Sequence, residues 1–486
     1  MTVLVPSQGT DRRESERTRR GGRPRLALGI LAVLVLCFAA FSASRMFPPQ
    51  SYGLADDWRV FYAAATVVGH GGSPYDPALI HPAEQAADRY AVVQPSLDDF
   101  ANLPVVAWLL QPLTALPFWT SYVLAAALGM IAAAIALLAW LRRWGWRGSA
   151  PWAVLAMLSW PALLGVYSGQ FDLLLLALAI SAMALSMRRH PGLAGTVCTS
   201  AALIKPHILW PLPLLLAVSQ LPDRRDAARC AAAAVATATA VIAGGEILMP
   251  GSTARFLSHL FAFGGRISSV QPDLSGLPGM FAHLPGGGVV AAAVTALGGL
   301  ATLGFVGYWA LNRTALALAP DTRTALGVCA GLALWLVATP YAHPNDDVLL
   351  FPMLALVVGA DAVHLRQRDL VWALAGAAVL ITAFVLSPVA GSVLTLAAAA
   401  ALWRRWDSIG RGGVAAAALV AIAILPMAWP FHVLVASLTP LAVLLIAVAG
   451  MSLVHRTLQP ASAGDFTSPR LTPLWGVPEG GTPQLV

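Results

Sequence analysis

Hydrophobic and polar residues alternate along this chain in long blocks. Apolar runs of about 17–25 residues, the length of a membrane-crossing helix, fall near 26–44, 117–141, 150–166, 171–187, 227–249 and 286–310. Further runs fall near 324–341, 346–363, 370–386, 388–403, 413–430 and 433–452, which makes twelve. A soluble domain cannot hide that much apolar surface. The pattern therefore predicts an all-α, polytopic membrane protein.

Three stretches depart from this rhythm. Residues 1–25 are polar with seven arginines, and 457–486 are rich in Pro, Gly, Ser and Thr; both read as disordered cytoplasmic tails. The run 26–44 ends in Phe41-Ser42-Ala43, as a cleaved signal peptide does, but its length fits an uncleaved anchor better. Between Arg189 and Arg224 lie about thirty residues, 192–221, too few for two crossings of roughly twenty each. Two short re-entrant helices meeting at Lys205-Pro206-His207 are predicted there, because Pro206 breaks the backbone ladder and disfavours helix at Lys205. Irregular backbone at that depth needs protein or a wet cavity around it.

Composition agrees with the pattern: 58% of residues are hydrophobic and 11% charged. The formal charge of +7 is then a matter of topology, not of nucleic-acid binding. Alternating the twelve runs places 24 of the 29 arginines on one side, the cytoplasmic one by the positive-inside rule. The N-terminus is then cytoplasmic, while 45–103, 250–285 and the turn around 339–347 are outside. The four cysteines (37, 198, 230 and 329) lie in or beside apolar runs without metal-ligand spacing, so neither zinc nor a disulfide is indicated. No phosphate-binding Gly-Lys-Ser/Thr loop and no dinucleotide fingerprint occurs. No cofactor is called for, and a nucleotide-driven pump is disfavoured.

The remaining polar groups gather outside. Asp56 and Asp57 open a stretch of helical spacing, Asp57-Trp58-Arg59-Val60-Phe61-Tyr62, some twelve residues past the first run. A carboxylate at the water–lipid boundary is placed to take a proton from an acceptor hydroxyl; a cap for the helix is the alternative. Ser168-Gly169-Gln170-Phe171-Asp172 opens another run, with Ser168 or Asp172 as an ordinary cap. Thr339-Pro340-Tyr341-Ala342-His343-Pro344-Asn345-Asp346-Asp347 joins two runs, and a cap with a solvated turn accounts for its last three residues. Lys205 is the chain's one lysine, and at membrane depth it calls for an anion: Glu246 as a structural partner, or a lipid phosphate from the outer leaflet.

Taken in order, these stretches resemble the polyprenol-phosphate-sugar-dependent glycosyltransferases of the GT-C superfamily, family 87 in particular. The resemblance runs through Asp57-Trp58-Arg59-Val60-Phe61-Tyr62, Gly71-Gly72-Ser73-Pro74-Tyr75, Leu103-Pro104 and Pro112-Leu113-Thr114-Ala115-Leu116-Pro117. It continues through Ser168-Gly169-Gln170, Ala202-Leu203-Ile204-Lys205-Pro206 and Thr339-Pro340-Tyr341, and spans roughly 26–365. It implies a GT-C-type catalytic core over 26–365, followed by generic spans over 366–456. It also implies an extracytoplasmic active site, a hexose (mannose) donor on polyprenyl phosphate, and a lipid or glycan acceptor. Asp57 would be the catalytic base, with Asp56 beside it. Arg59, Gln170, Lys205, Arg255, Arg266, His343 and Asp346 would hold substrate, with Lys205 near the donor phosphate; Asp172 stands where relatives often have Asn. One carboxylate base and a good leaving group suffice for an inverting displacement. The competing reading, a transporter or lipid flippase, predicts internal repeats and charges in several spans. No convincing repeat appears.

Overall fold

The computed structural model describes residues 54–87, 100–146, 149–267, 274–282, 286–364 and 431–459. Among them every regular element is helical. The runs expected near 26–44, 370–386, 388–403 and 413–430 lie outside the described residues, as do most of both tails.

Among the described residues, four helices are long and apolar enough to cross a membrane: Phe118–Arg143, Arg224–Leu248, Gly287–Leu311 and Pro320–Ala338. At 1.5 Å per residue, each of the first three, with 25 or 26 residues, rises about 38 Å, more than the ~30 Å hydrocarbon core. They differ in what surrounds them. The most apolar window is 17%, 6% and 11% buried in the first three and 89% buried in Pro320–Ala338. The first three thus leave most of their side chains uncovered by the described chain's packing, whereas Pro320–Ala338 is enclosed by it.

Where the described chain departs from the expected runs, proline is the cause. The run at 150–166 is two helices, Ser149–Met157 and Trp160–Ser168: Pro161 has no N–H to continue the first helix and sits in the first turn of the second, whose N-cap Ser159 is extended (φ −70°, ψ 156°). The run at 346–363 begins as a 3₁₀ turn, Pro344–Leu350, and becomes α-helix at Phe351–His364. The break at Lys205-Pro206 falls where the sequence places it. Helix Pro191–Ile204 stops at Lys205 (φ −135°, ψ 73°), and Pro206 opens the short helix Pro206–Leu209, followed by Pro211–Ser219.

Close backbone contact holds this broken segment against its neighbour. A Cβ on Gly195 would run into the Cys230 carbonyl oxygen, so Pro191–Ile204 and Arg224–Leu248 pack at a distance only glycine permits. The core between the helices is aliphatic, with Leu175, Leu176, Leu212, Leu215 and Leu216 all fully buried.

Candidate active site

Helix Asp56–Gly69 carries the two acids, and neither caps it. The N-cap is Ala55, held at φ 64°, ψ 31° without any side-chain cap hydrogen bond. A left-handed alanine is strained, and it stays there because its N–H donates to the Tyr167 carbonyl at 2.8 Å. Asp56 and Asp57 are the first two helical residues, where the helix dipole favours their negative charge. The next turn is anchored from outside the helix: Trp58 Nε1 donates to Ser121 Oγ (3.0 Å) and the Tyr62 hydroxyl to the Leu116 carbonyl (2.9 Å). Phe61, Phe100, Phe171 and Trp58 form an aromatic layer beneath it.

The turn Ser168-Gly169-Gln170 presses directly onto this helix start. Gly169 has φ +80°, and a Cβ there would lie 2.5 Å from Trp58 Cβ. The glycine lets Gln170 approach the Asp57 carboxylate and favour its charged form. The two acids then divide. Asp56 accepts from buried Arg59 Nη2 at 2.5 Å. Asp57 is half-buried. Desolvation raises its carboxyl above the ordinary carboxylate range, opposed by the His343 and Lys205 charges and by Gln170, while Asp56 adds to the rise.

Lys205 is surrounded by carboxylates. Its Nζ lies 2.9 Å from Asp172 Oδ1 and 2.6 Å from Asp346 Oδ1. The second oxygen of each acid is also engaged: Asp172 Oδ2 accepts from Asn345 Nδ2 at 2.5 Å, and Asp346 Oδ2 from the His343 N–H at 2.8 Å. Asp172 and Asp346 are completely buried, Asn345 and Lys205 nearly so. Glu246, the structural partner considered for Lys205, is elsewhere: it accepts from the Gly251 and Thr253 N–H groups at 2.8 and 2.6 Å and ties helix Arg224–Leu248 to the next one.

Three more motifs converge on the same break. Asn102 Nδ2 donates to the Ile204 carbonyl (2.9 Å), a group left without a helical partner by Pro206, and the Tyr75 hydroxyl donates to the Asn102 carbonyl (2.7 Å). On the far side, Trp335 Nε1 donates to the His207 carbonyl (2.8 Å), and the Tyr341 ring packs edge-on to His207.

The other expected residues distribute unevenly. His343 joins the acids electrostatically. Arg255 is exposed on helix Ser252–Ile267, with Nη2 donating to the Pro250 carbonyl at 3.1 Å. Arg266 is on the same helix, and its side chain lies outside the described residues. Two readings need correction. Asp172 does not cap its helix: Phe171 occupies the N-cap, and the Asp172 carboxylate goes to Lys205 and Asn345. Asn345, Asp346 and Asp347 are no solvated turn, since all three are buried. Asp172 and Asn345 were visible as polar residues at helix starts; their pairing across 173 positions was not.

Comparison with known proteins gives one match: the model of glycosyltransferase family 87 matches residues 100–340. No curated protein and no solved structure matches the chain. Gln170, Asp172, Lys205, Arg255 and Arg266 are inside the matched stretch; Asp57, His343 and Asp346 are outside it.

Proposed function

We infer that the chain, which belongs to glycosyltransferase family 87 through residues 100–340, is a membrane glycosyltransferase, and we propose the chemistry it performs. It moves a hexose, mannose, from a polyprenyl-phosphate sugar to a lipid or glycan acceptor on the extracytoplasmic side, with Asp57 as base. The observation that carries this reading is the convergence on Asp57. A carboxylate from outside the family match receives Gln170 and the charge of Lys205 from inside it, with His343 alongside.

In the proposed step the acceptor oxygen forms a bond to the anomeric carbon as the bond from that carbon to the phosphate oxygen breaks. The electron pair leaves with polyprenyl phosphate, and the acceptor proton passes to the Asp57 carboxylate. A single displacement of this kind inverts the anomeric centre. A carboxyl raised above its usual range is the stronger base for the acceptor hydroxyl. Asp56 is committed to Arg59 and supports the helix start instead.

Charge developing on the departing phosphate needs cations. Two of the three N–H donors of Lys205 are given to Asp172 and Asp346, which leaves at most one for a phosphate. Arg59 is matched by Asp56. The phosphate is therefore assigned first to Arg255 and Arg266, on the outer helix Ser252–Ile267. Twelve crossings with the N-terminus inside remain the proposed topology, which puts Asp57 on the outer face.

The test is direct. Purified protein in lipid nanodiscs is given polyprenyl-phosphate mannose, polyprenyl-phosphate glucose or a nucleotide sugar, together with a membrane lipid extract. A mannosylated product from the first donor, absent with Asp57→Asn, is the expected result. Transfer from the nucleotide sugar alone would overturn the donor class, and full transfer by Asp57→Asn would overturn the base.

A further inference from the structure

The ion cluster at Lys205 is not balanced. One ammonium faces two fully buried carboxylates, Asp172 and Asp346. A third, Asp347, is completely buried beside them, and neither of its oxygens makes a hydrogen bond of ordinary length. Enclosing ions is costly, and such a cluster is weak evidence for stability in itself. Its position suggests another use. Asp172 is two residues from Gln170, and Asp346 is three from His343. Lys205 sits on a break whose two flanks are pinned, by Asn102 at Ile204 and by Trp335 at His207. Joining Asp172 and Asp346 through one ammonium fixes the Gln170 turn relative to the His343 loop.

We propose that Asp172 and Asp346 are positioning residues for Asp57, acting through Lys205: they hold its positive charge in one place beside the base and lock together the two segments that flank it. The inference rests on the reading of Asp57 as the base. The charged groups acting on Asp57 are Asp56 from its own helix, itself paired with Arg59, His343 from the 339–347 turn, and Lys205 from the helix break; Tyr167 acts on Asp56. Of these, Lys205 is the cation whose placement two buried acids determine.

The experiment reads Asp57 itself. The full chain in lipid nanodiscs is titrated by infrared spectroscopy, and the protonated Asp57 carboxyl is assigned as the band missing in Asp57→Asn. Lys205→Met is expected to raise the Asp57 midpoint by about one pH unit, and Lys205→Arg to bring most of it back. Asp172→Asn leaves a one-to-one Lys205–Asp346 pair and so a less compensated ammonium; it is expected to lower the midpoint by a smaller amount. A purely structural cluster predicts lower thermal stability with the midpoint unmoved. An unmoved midpoint in folded Lys205→Met, or in Asp172→Asn if Lys205→Met does not fold, overturns the proposal. Mannose transfer is followed separately with polyprenyl-phosphate mannose. Shifted midpoints in a protein that transfers nothing would sink the base reading and leave the cluster; normal transfer with unmoved midpoints would sink the cluster alone.

Discussion

The start of helix Asp56–Gly69 and the surroundings of Lys205 are built from the same residue types and satisfied in opposite ways. At the helix start, Asp57 is half-buried, with Gln170 close enough to favour its charged form and a strained alanine opening the helix. At Lys205, four carboxylate oxygens each have a partner within 2.5–2.9 Å and the whole group is enclosed. A half-buried carboxylate within reach of an acceptor hydroxyl is able to take its proton; an enclosed one whose two oxygens each meet a donor is part of the framework. The same division separates the neighbours Asp56 and Asp57.

This contrast breaks most readily at Asp57. Asp57→Asn should lower transfer by about 10²–10⁴-fold, the usual contribution of a general base. Because the carboxyl is raised in the folded protein, its ionised form opposes folding: the stability it contributes is present at low pH and lost as pH climbs through the raised value. Thermal unfolding of Asp57→Asn at neutral pH should therefore occur no lower than in the wild type. The same sign puts the acid limb of wild-type transfer above pH ~4, the ordinary Asp range, since activity appears only as Asp57 ionises.

Lys205→Met attacks the other side. It leaves Asp172 and Asp346 buried together with no cation between them, and should cost about 3–5 kcal/mol in chemical unfolding. Wild-type stability in that variant would show that the cluster is no framework.

Gly169→Ala sharpens the boundary between the two regions. Its Cβ would run into Trp58, and its backbone would be strained, at about 1–3 kcal/mol. Transfer should fall with it, because Gln170 moves off Asp57; a destabilised variant with unchanged turnover would detach the turn from the site. The smallest effect is expected at Ala55→Gly, which relieves the left-handed alanine and should raise stability by about 0.5–1 kcal/mol. If it lowers stability instead, the strain argument at the helix start fails.

Much of this was legible from local physics. Among the described residues, most apolar runs fall on helices within a few residues, and Pro206 located the break at Lys205. The same rule, applied to Pro161, would have split the run at 150–166, but the apolar run concealed it. Long-range pairing was not legible. Lys205 finds partners 33 and 141 residues away, and no periodicity encodes which acid it meets. Composition misled at Asn345–Asp347, because three polar residues after a proline usually mark a wet turn. Cap preference misled at Asp56 and Asp57, where an alanine tied to Tyr167 occupies the cap.

The spacing of the Lys205 partners also imposes an order in time. Asp172 precedes Lys205, so the two enter the membrane already able to neutralise each other. Asp346 is made 141 residues after Lys205, roughly 7–30 s later at 5–20 residues per second. Through that interval the ammonium stays in a half-assembled enclosure, and the arrival of the 339–347 turn is what closes it. A nascent chain stalled before Asp346 should leave Lys205 open to an amine-reactive reagent, and the finished chain should protect it.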